Sequence, residues 1–239
     1  MTPDLDLTAM RRIHVVGVGG AGMSAIAEVL TTMGHEVTGS DLKDSTGLDR
    51  LRALGVTVRV GHDAANVGDA DLVTRSTAIA DSNVECRVAQ RRGIPLLSRA
   101  QMLGGICLLR DTVAVAGTHG KTTTASMLAL VLREAGLRPS FIIGGDVNEI
   151  GTGAAWDDGQ IFVVEADESD GSFLDLERRV AVVTNVEPDH LDYHGDFEGL
   201  RTAFRRFVEE TDGVTVVGID DEGGRRLAEG SAVATVGTS

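Results

Sequence analysis

The sequence predicts an α/β fold made of two successive parallel-sheet units, and three observations carry that prediction. Short β-branched apolar runs alternate with helical patterns along the chain, as in strand–helix–strand crossovers. Two of the strand-to-helix junctions are glycine loops, GVGGAG over 17–22 and GTHGKTT over 117–123. Between them, the polar pair Arg110-Asp111 separates a helical pattern from the strand that opens the second loop. Residues 1–110 therefore read as a Rossmann-like parallel-sheet domain. Residues 111–239 read as a phosphate-loop (P-loop) α/β domain, expected to be incomplete because the alternation stops after a strand over 232–236.

Composition narrows the function classes. With 42% apolar and 24% charged residues, 239 residues suffice for two globular cores. A formal net charge of -14 argues against a nucleic-acid partner, which calls for a basic face. Among 22 basic residues only Lys43 and Lys121 are lysines, so a lysine inside a glycine loop stands out. Cys86 and Cys107 have neither metal-site nor redox-motif spacing and read as reduced thiols of a cytoplasmic protein. The acidic first ten residues have no apolar core of a signal peptide, and no apolar run is long enough to span a bilayer, so no membrane partner is expected.

In the first unit, a strand over 13–18 enters the glycine loop, and an apolar helix follows to Leu30 and ends near Gly34. The next strand, 36–40, closes on Asp41, nineteen residues beyond Gly22. A GxGxxG turn with an acid at that distance is the dinucleotide fingerprint, so spacing alone points to the ribose of NAD; tight helix–strand packing is the other reading. Strands over 56–60, 72–74 and 95–97 alternate with helices over 48–54, 84–92 and 99–109. His62, Ser76 and Thr77 fall just after strands, at the carboxyl edge where open α/β sheets bind ligands, although each also suits a turn or helix cap.

The second unit opens with the strand 112–116. Gly117 and Gly120 let backbone N–H groups approach an anion, and the positive end of the following helix, 121–135, adds to that field. Lys121 would bring a point charge to β/γ-phosphates, and the Thr122 hydroxyl would face a magnesium ion. The loop is a short variant, since Val115 stands where the usual spacing has its first glycine. Strands follow over 140–143 and 161–164, the latter ending in EADESD with four carboxylates in six residues. Glu165, at the strand end, is placed for a magnesium ligand, while Asp167, Glu168 and Asp170 also read as a solvated acidic loop. After a strand over 180–184, Pro188 forces a loop that holds His190 among acids. A helix over 197–210, a strand over 214–218 and a helix over 222–229 complete the pattern.

Together, GVGGAGMSAIAEVL (17–30), GSD (39–41), AGTHGKTTT (116–124), EADESD (165–170) and TNVEPDHLDYHGDFE (184–198) resemble the Mur ligases, with GVGGAGMS favouring the branch that adds L-alanine. The resemblance spans nearly all of 12–239. It implies that the first loop holds no nicotinamide but a UDP-sugar, UDP-N-acetylmuramate, with Gly19, Gly20 and Gly22 receiving the diphosphate and Asp41, His62 and Ser76 at the uridine and sugar. It likewise implies that Gly117, Thr118, His119, Gly120, Lys121, Thr122 and Thr123 bind ATP. Thr122 and Glu165 would hold one Mg2+, His190 would help hold a second, and Lys121, Glu165 and His190 would be the catalytic set. The implied reaction is ATP-dependent amide formation through an acyl phosphate.

Two departures accompany the resemblance. Sister ligases use a carbamylated lysine beyond the histidine loop, and no lysine follows Lys121 here. Family members also have a complete central domain and a third, C-terminal domain, so the chain is expected to be a fragment inactive alone. Two other classes stay open at this level: an NAD-dependent oxidoreductase built on GxGxxG and Asp41, and a module that binds UDP-sugar or ATP without turnover.

Overall fold

A computed structural model describes residues 6–147 and 149–238. Contacts divide the chain into two compact units, Met1–Leu109 with Thr152–Trp156, and Arg110–Gly151 with Asp157–Ser239.

In the first unit, strands β1 (Arg12–Val16), β2 (Glu36–Asp41), β3 (Thr57–Val60), β4 (Leu72–Arg75) and β5 (Leu96–Ser98) form a sheet in the order β3-β2-β1-β4-β5. Every pairing is parallel. Helices α1 (Ala21–Thr32), α2 (Thr46–Ala53), α3 (Val84–Arg92) and α4 (Arg99–Cys107) make the crossovers. β1 is hydrophobic on both faces, as a central parallel strand must be, and Ile13, Val15 and Val16 are buried. It ends sooner than the sequence predicts. Gly17 turns the backbone to φ +80°, and the amides of Gly17 and Val18 both donate to the carbonyl of Ser40. α1 buries Met23, Ile26, Ala27 and Leu30 at helical spacing, and a Ser98/Gln101 capping box starts α4. The strand order reverses at β1, so the carboxyl ends of β1 and β4 bound the crevice where such sheets take ligands.

In the second unit, β6 (Asp111–Ala116), β7 (Ser140–Val147), β9 (Ile161–Glu165), β10 (Val180–Val183), β11 (Val214–Gly218) and β12 (Ala234–Val236) are ordered β12-β11-β10-β6-β9-β7, while the short strand β8 (Thr152–Ala155) groups with the first unit. The helices are α5 (Lys121–Glu134), the single turn α6 (Leu191–His194), α7 (Phe197–Glu209) and α8 (Glu222–Ala228). β6 is central, flanked in parallel by β10 and β9, which brings three loops to one edge. β7 runs four residues past its predicted end, and β8 and α6 were not foreseen.

The segment between β9 and β10 is fixed by an aromatic cluster. Phe173 stacks on Phe207 at 5.0 Å and meets Phe204 edge-on at 5.4 Å. The buried guanidinium of Arg178 lies 4.1 Å over the Phe207 ring and donates to the carbonyls of Phe207 and Leu176. This packing anchors the acidic segment after β9 beside the loops that follow β6 and β10.

No disulfide joins Cys86 and Cys107, both of which are buried. Among the described residues no helix is long and apolar enough to cross a membrane.

Candidate functional site

The loop after β6 is braced from below by the segment after β10. The amide of Thr118 donates to the carbonyl of Asn185 at 3.2 Å, and that of His119 to Asn185 Oδ1 at 2.9 Å. Thr184 Oγ1 and Asn185 Nδ2 donate to the His119 carbonyl at 2.6 and 2.9 Å. Thr118 Oγ1 donates to the Glu187 carbonyl and accepts from the Glu187 amide. Gly117 has to be glycine twice over: its φ is +130°, and a Cβ there would lie 2.0 Å from Thr184 Oγ1. Of the loop amides, Thr118 and His119 are thus engaged in holding the loop. The amides from Gly120 onward open the first turn of α5, which no side chain caps. Uncapped N–H groups and a helix dipole form an anion cradle.

Lys121 folds back over this cradle. Its side chain is only 14% exposed. Nζ donates to the Gly117 carbonyl at 2.8 Å and to Glu168 Oε1 at 2.9 Å, and lies 3.4 Å from the Thr118 carbonyl. The reading of Glu168 as part of a solvated acidic loop is corrected here: it is 1% exposed, and the Lys121 ammonium compensates the buried carboxylate. The next residue, Thr122, donates through Oγ1 to both oxygens of Glu165, at 3.0 and 3.1 Å. Glu165 Oε2 also accepts the Gly144 amide at 2.7 Å, and a Cβ on Gly144 would stand 2.8 Å from that oxygen. A hydroxyl and a carboxylate held together at a phosphate loop suit a hard, oxygen-preferring cation such as Mg2+. His190 does not complete a cluster with them. It is 38% exposed, adopts a left-handed φ of +51°, and has its ring Nε2 3.7 Å from Asp189 Oδ2. Among the described residues no group of three or more His, Cys, Asp or Glu is arranged to hold a metal ion.

In the first unit, the glycine loop is held by Asp41, whose Oδ2 accepts the Gly19 amide at 2.8 Å. The carboxylate reaches this amide because Gly19 has no Cβ to keep it away. Gly20 begins α1 without a side-chain cap, and Gly22 faces Arg99, whose Nη1 would lie 3.1 Å from a Cβ there. Arg99 therefore puts a cation at the loop, a placement that its position at the start of α4 gave no sign of. Ser76 sits opposite Gly17 and donates its backbone amide to Val16.

His62 belongs to a buried polar network centred on Glu85, which is 0% exposed. Glu85 Oε2 accepts from Ser40 Oγ at 2.6 Å and lies 3.0 Å from His62 Nδ1 and 3.7 Å from His14 Nε2. Its Oε1 accepts from Asn66 Nδ2 at 2.6 Å and from the Asp63 amide at 3.2 Å. Burial pushes this carboxyl up. The His14 ring and the hydrogen bonds from Ser40 and Asn66 more than offset it and bring the group down to about 2. The arrangement fixes the face of His62 at the ligand edge, with its buried Nε2 lacking a hydrogen-bond partner.

Comparison with known proteins bears on both loops at once. Residues 12–110 match the model described as the Mur ligase family, catalytic domain, and residues 115–239 match the Mur ligase middle domain. The UDP-N-acetylmuramate--L-alanine ligase of Thermobifida fusca is 52% identical over 228 residues, which is 95% of this chain and 48% of that protein. The crystal structure of UDP-N-acetylmuramate-alanine ligase from Thermotoga maritima superposes with a TM-score of 0.85 at 32% identity, covering 96% of this chain and 53% of the other. A UDP-N-acetylmuramate:L-alanyl-gamma-D-glutamyl-meso-diaminopimelate ligase from Neisseria meningitides gives the same TM-score and identity, covering 78% of that chain. The chain spans about half the length of the curated relatives it matches. Two family models that together take in both glycine loops, with relatives at about half identity, establish that the chain belongs to the Mur ligase family.

Proposed function

We propose that the first unit binds UDP-N-acetylmuramate and the second binds ATP with magnesium, as the binding halves of an ATP-dependent ligase that adds L-alanine to the sugar. The observation that carries this reading is the second loop: an uncapped α5 N-terminus, Lys121 above it, and Thr122 paired with Glu165 beside it. The relatives that match nearly the whole chain at about 50% identity support the choice of sugar and amino acid.

In this mechanism the lactoyl carboxylate of the sugar attacks the γ-phosphorus of ATP, giving an acyl phosphate and ADP. The alanine amine then adds to the acyl carbon, and the tetrahedral adduct expels inorganic phosphate as the amide forms. Lys121 and the amides from Gly120 to Thr123 offset negative charge where carboxylate and phosphate meet. Thr122 and Glu165 would hold Mg2+, which supplies Lewis-acid neutralisation of phosphate oxygens, and His190 would support a second ion. Gly20, Gly22 and Arg99 would receive the diphosphate of the sugar nucleotide.

Asp41→Ala tests the first unit. It is expected to weaken UDP-N-acetylmuramate binding by about 1–3 kcal/mol, the cost of one lost ligand contact, and to lower stability by about 1 kcal/mol as the Gly19 amide loses its acceptor. Calorimetric titration and thermal melts read both, and unchanged affinity would remove Asp41 from the site. A phosphate-release assay with UDP-N-acetylmuramate, MgATP and L-alanine tests the division of labour. These residues alone are expected to bind without steady turnover, since an acyl phosphate must be shielded from water and an amine oriented against it. Turnover above a Lys121→Ala control would contradict that.

A further inference from the structure

Glu168 has no part in the chemistry assigned above, yet it is built in with care. Its side chain is 1% exposed; Oε1 accepts from Lys121 Nζ at 2.9 Å, and Oε2 is buried without a hydrogen-bond partner. Its backbone carbonyl faces His194 Nε2 at 2.8 Å, so the turn α6 pins the residue from behind. An ammonium has three hydrogens, and three acceptors surround this one: the carbonyls of Gly117 and Thr118 and the Glu168 carboxylate. Every donor of Lys121 is spoken for, and among the three partners only Glu168 carries charge.

We propose that Glu168 is the resident counter-ion of Lys121, a positioning residue that phosphate must displace from the ammonium when a nucleotide enters the loop. This rests on the reading of Lys121 as the phosphate-binding lysine. A buried ion pair with one cation and one anion is not opened by a weak competitor, since the carboxylate left behind is out of water. A polyphosphate spans Lys121 and the α5 amides together, and its magnesium ion suits the Thr122–Glu165 pair, so MgATP recovers that cost; orthophosphate meets fewer of these groups. Glu168 thus lowers the affinity of the loop for all anions and selects for polyphosphates, so that the empty site does not fill with orthophosphate.

The test uses the full chain and its Glu168→Gln variant, titrated calorimetrically with MgATP, inorganic tripolyphosphate and orthophosphate. Removing the competing charge is expected to tighten MgATP by about tenfold, the size of one modest ion-pair term, and to tighten orthophosphate by at least as much. Glu168→Asp, which keeps the charge but draws it back by one methylene, is expected to fall between and carries the test should Gln disturb the fold. A second readout uses the lysine economy of the chain. With Lys43 as internal reference, acylation of Lys121 by an amine-reactive ester, followed by mass spectrometry, is expected to be several-fold faster in Glu168→Gln. Equal or weaker MgATP binding in both variants, with Lys121 reactivity unchanged, overturns the proposal. Lys121→Ala separates the two levels: if that variant binds MgATP like the parent, the phosphate reading itself fails.

Discussion

Lys121→Ala is expected to abolish measurable MgATP binding while leaving UDP-N-acetylmuramate binding as it is, because the lysine charge and the α5 amides belong to the second unit only. The same substitution is expected to destabilise that unit by about 3–5 kcal/mol, the usual cost of removing one member of a buried pair, because Glu168 then has no cation and no water. The two losses can be told apart. Adding Glu168→Gln to Lys121→Ala should restore most of the stability and none of the binding. Calorimetry with both ligands, beside thermal melts of the single and double variants, measures each. A Lys121→Ala variant that melts like the parent would mean that water reaches Glu168 readily.

Glu85→Ala is expected to have the largest effect on the first unit. It strips the acceptor from Ser40, His62, Asn66 and the Asp63 amide; the buried Ser40 hydroxyl left unpaired costs about 1–3 kcal/mol, and the partly exposed groups cost less as water reaches them. The pH dependence has a definite sign. The Glu85 carboxyl is held down from 4.5 to about 2 in the folded chain, so its contribution is fully present above the unfolded value and is lost as pH falls through about 2. A shift of that size corresponds to about 3 kcal/mol. Acid titration of the first unit's melting transition should therefore be steeper in the parent than in Glu85→Gln. Parallel curves would show that the carboxylate makes no net contribution.

Much of the fold was legible because period and punctuation agreed. The apolar runs at β1, β6 and β9 are β-branched and end in glycine or acid, and α7 places Leu200, Phe204, Phe207 and Val208 on one face. β8 was not, because TGAA has no alternation and three small residues, and α6 has four residues, too few to show a period. At the site, the motifs marked Thr122 and Glu165 one by one, and the family resemblance implied that they act together. Glu168 could not be singled out: within EADESD nothing distinguishes a buried acid from a solvated one, and its ion pair is with Lys121, 47 residues earlier in the chain. Glu85 was hidden in the same way, since VECRVAQRR reads as an ordinary charged helix until β2 and His62 close over it. Asp41 was marked as important for a ligand, but its bond to Gly19 depends on a separation that spacing does not encode.

His190 sits at φ +51°, a conformation that a residue with a Cβ adopts only at some cost, commonly about 1 kcal/mol or more. Glycine would relieve that cost and lose little else locally, since the ring is over a third exposed and its Nε2 lies 3.7 Å from Asp189 Oδ2. If the imidazole serves the nucleotide's metal, selection for heat resistance and selection for turnover pull in opposite directions at this position. A directed-evolution campaign scored on melting temperature alone would drift toward His190→Gly, and its winners would be sturdier proteins with a poorer reaction centre.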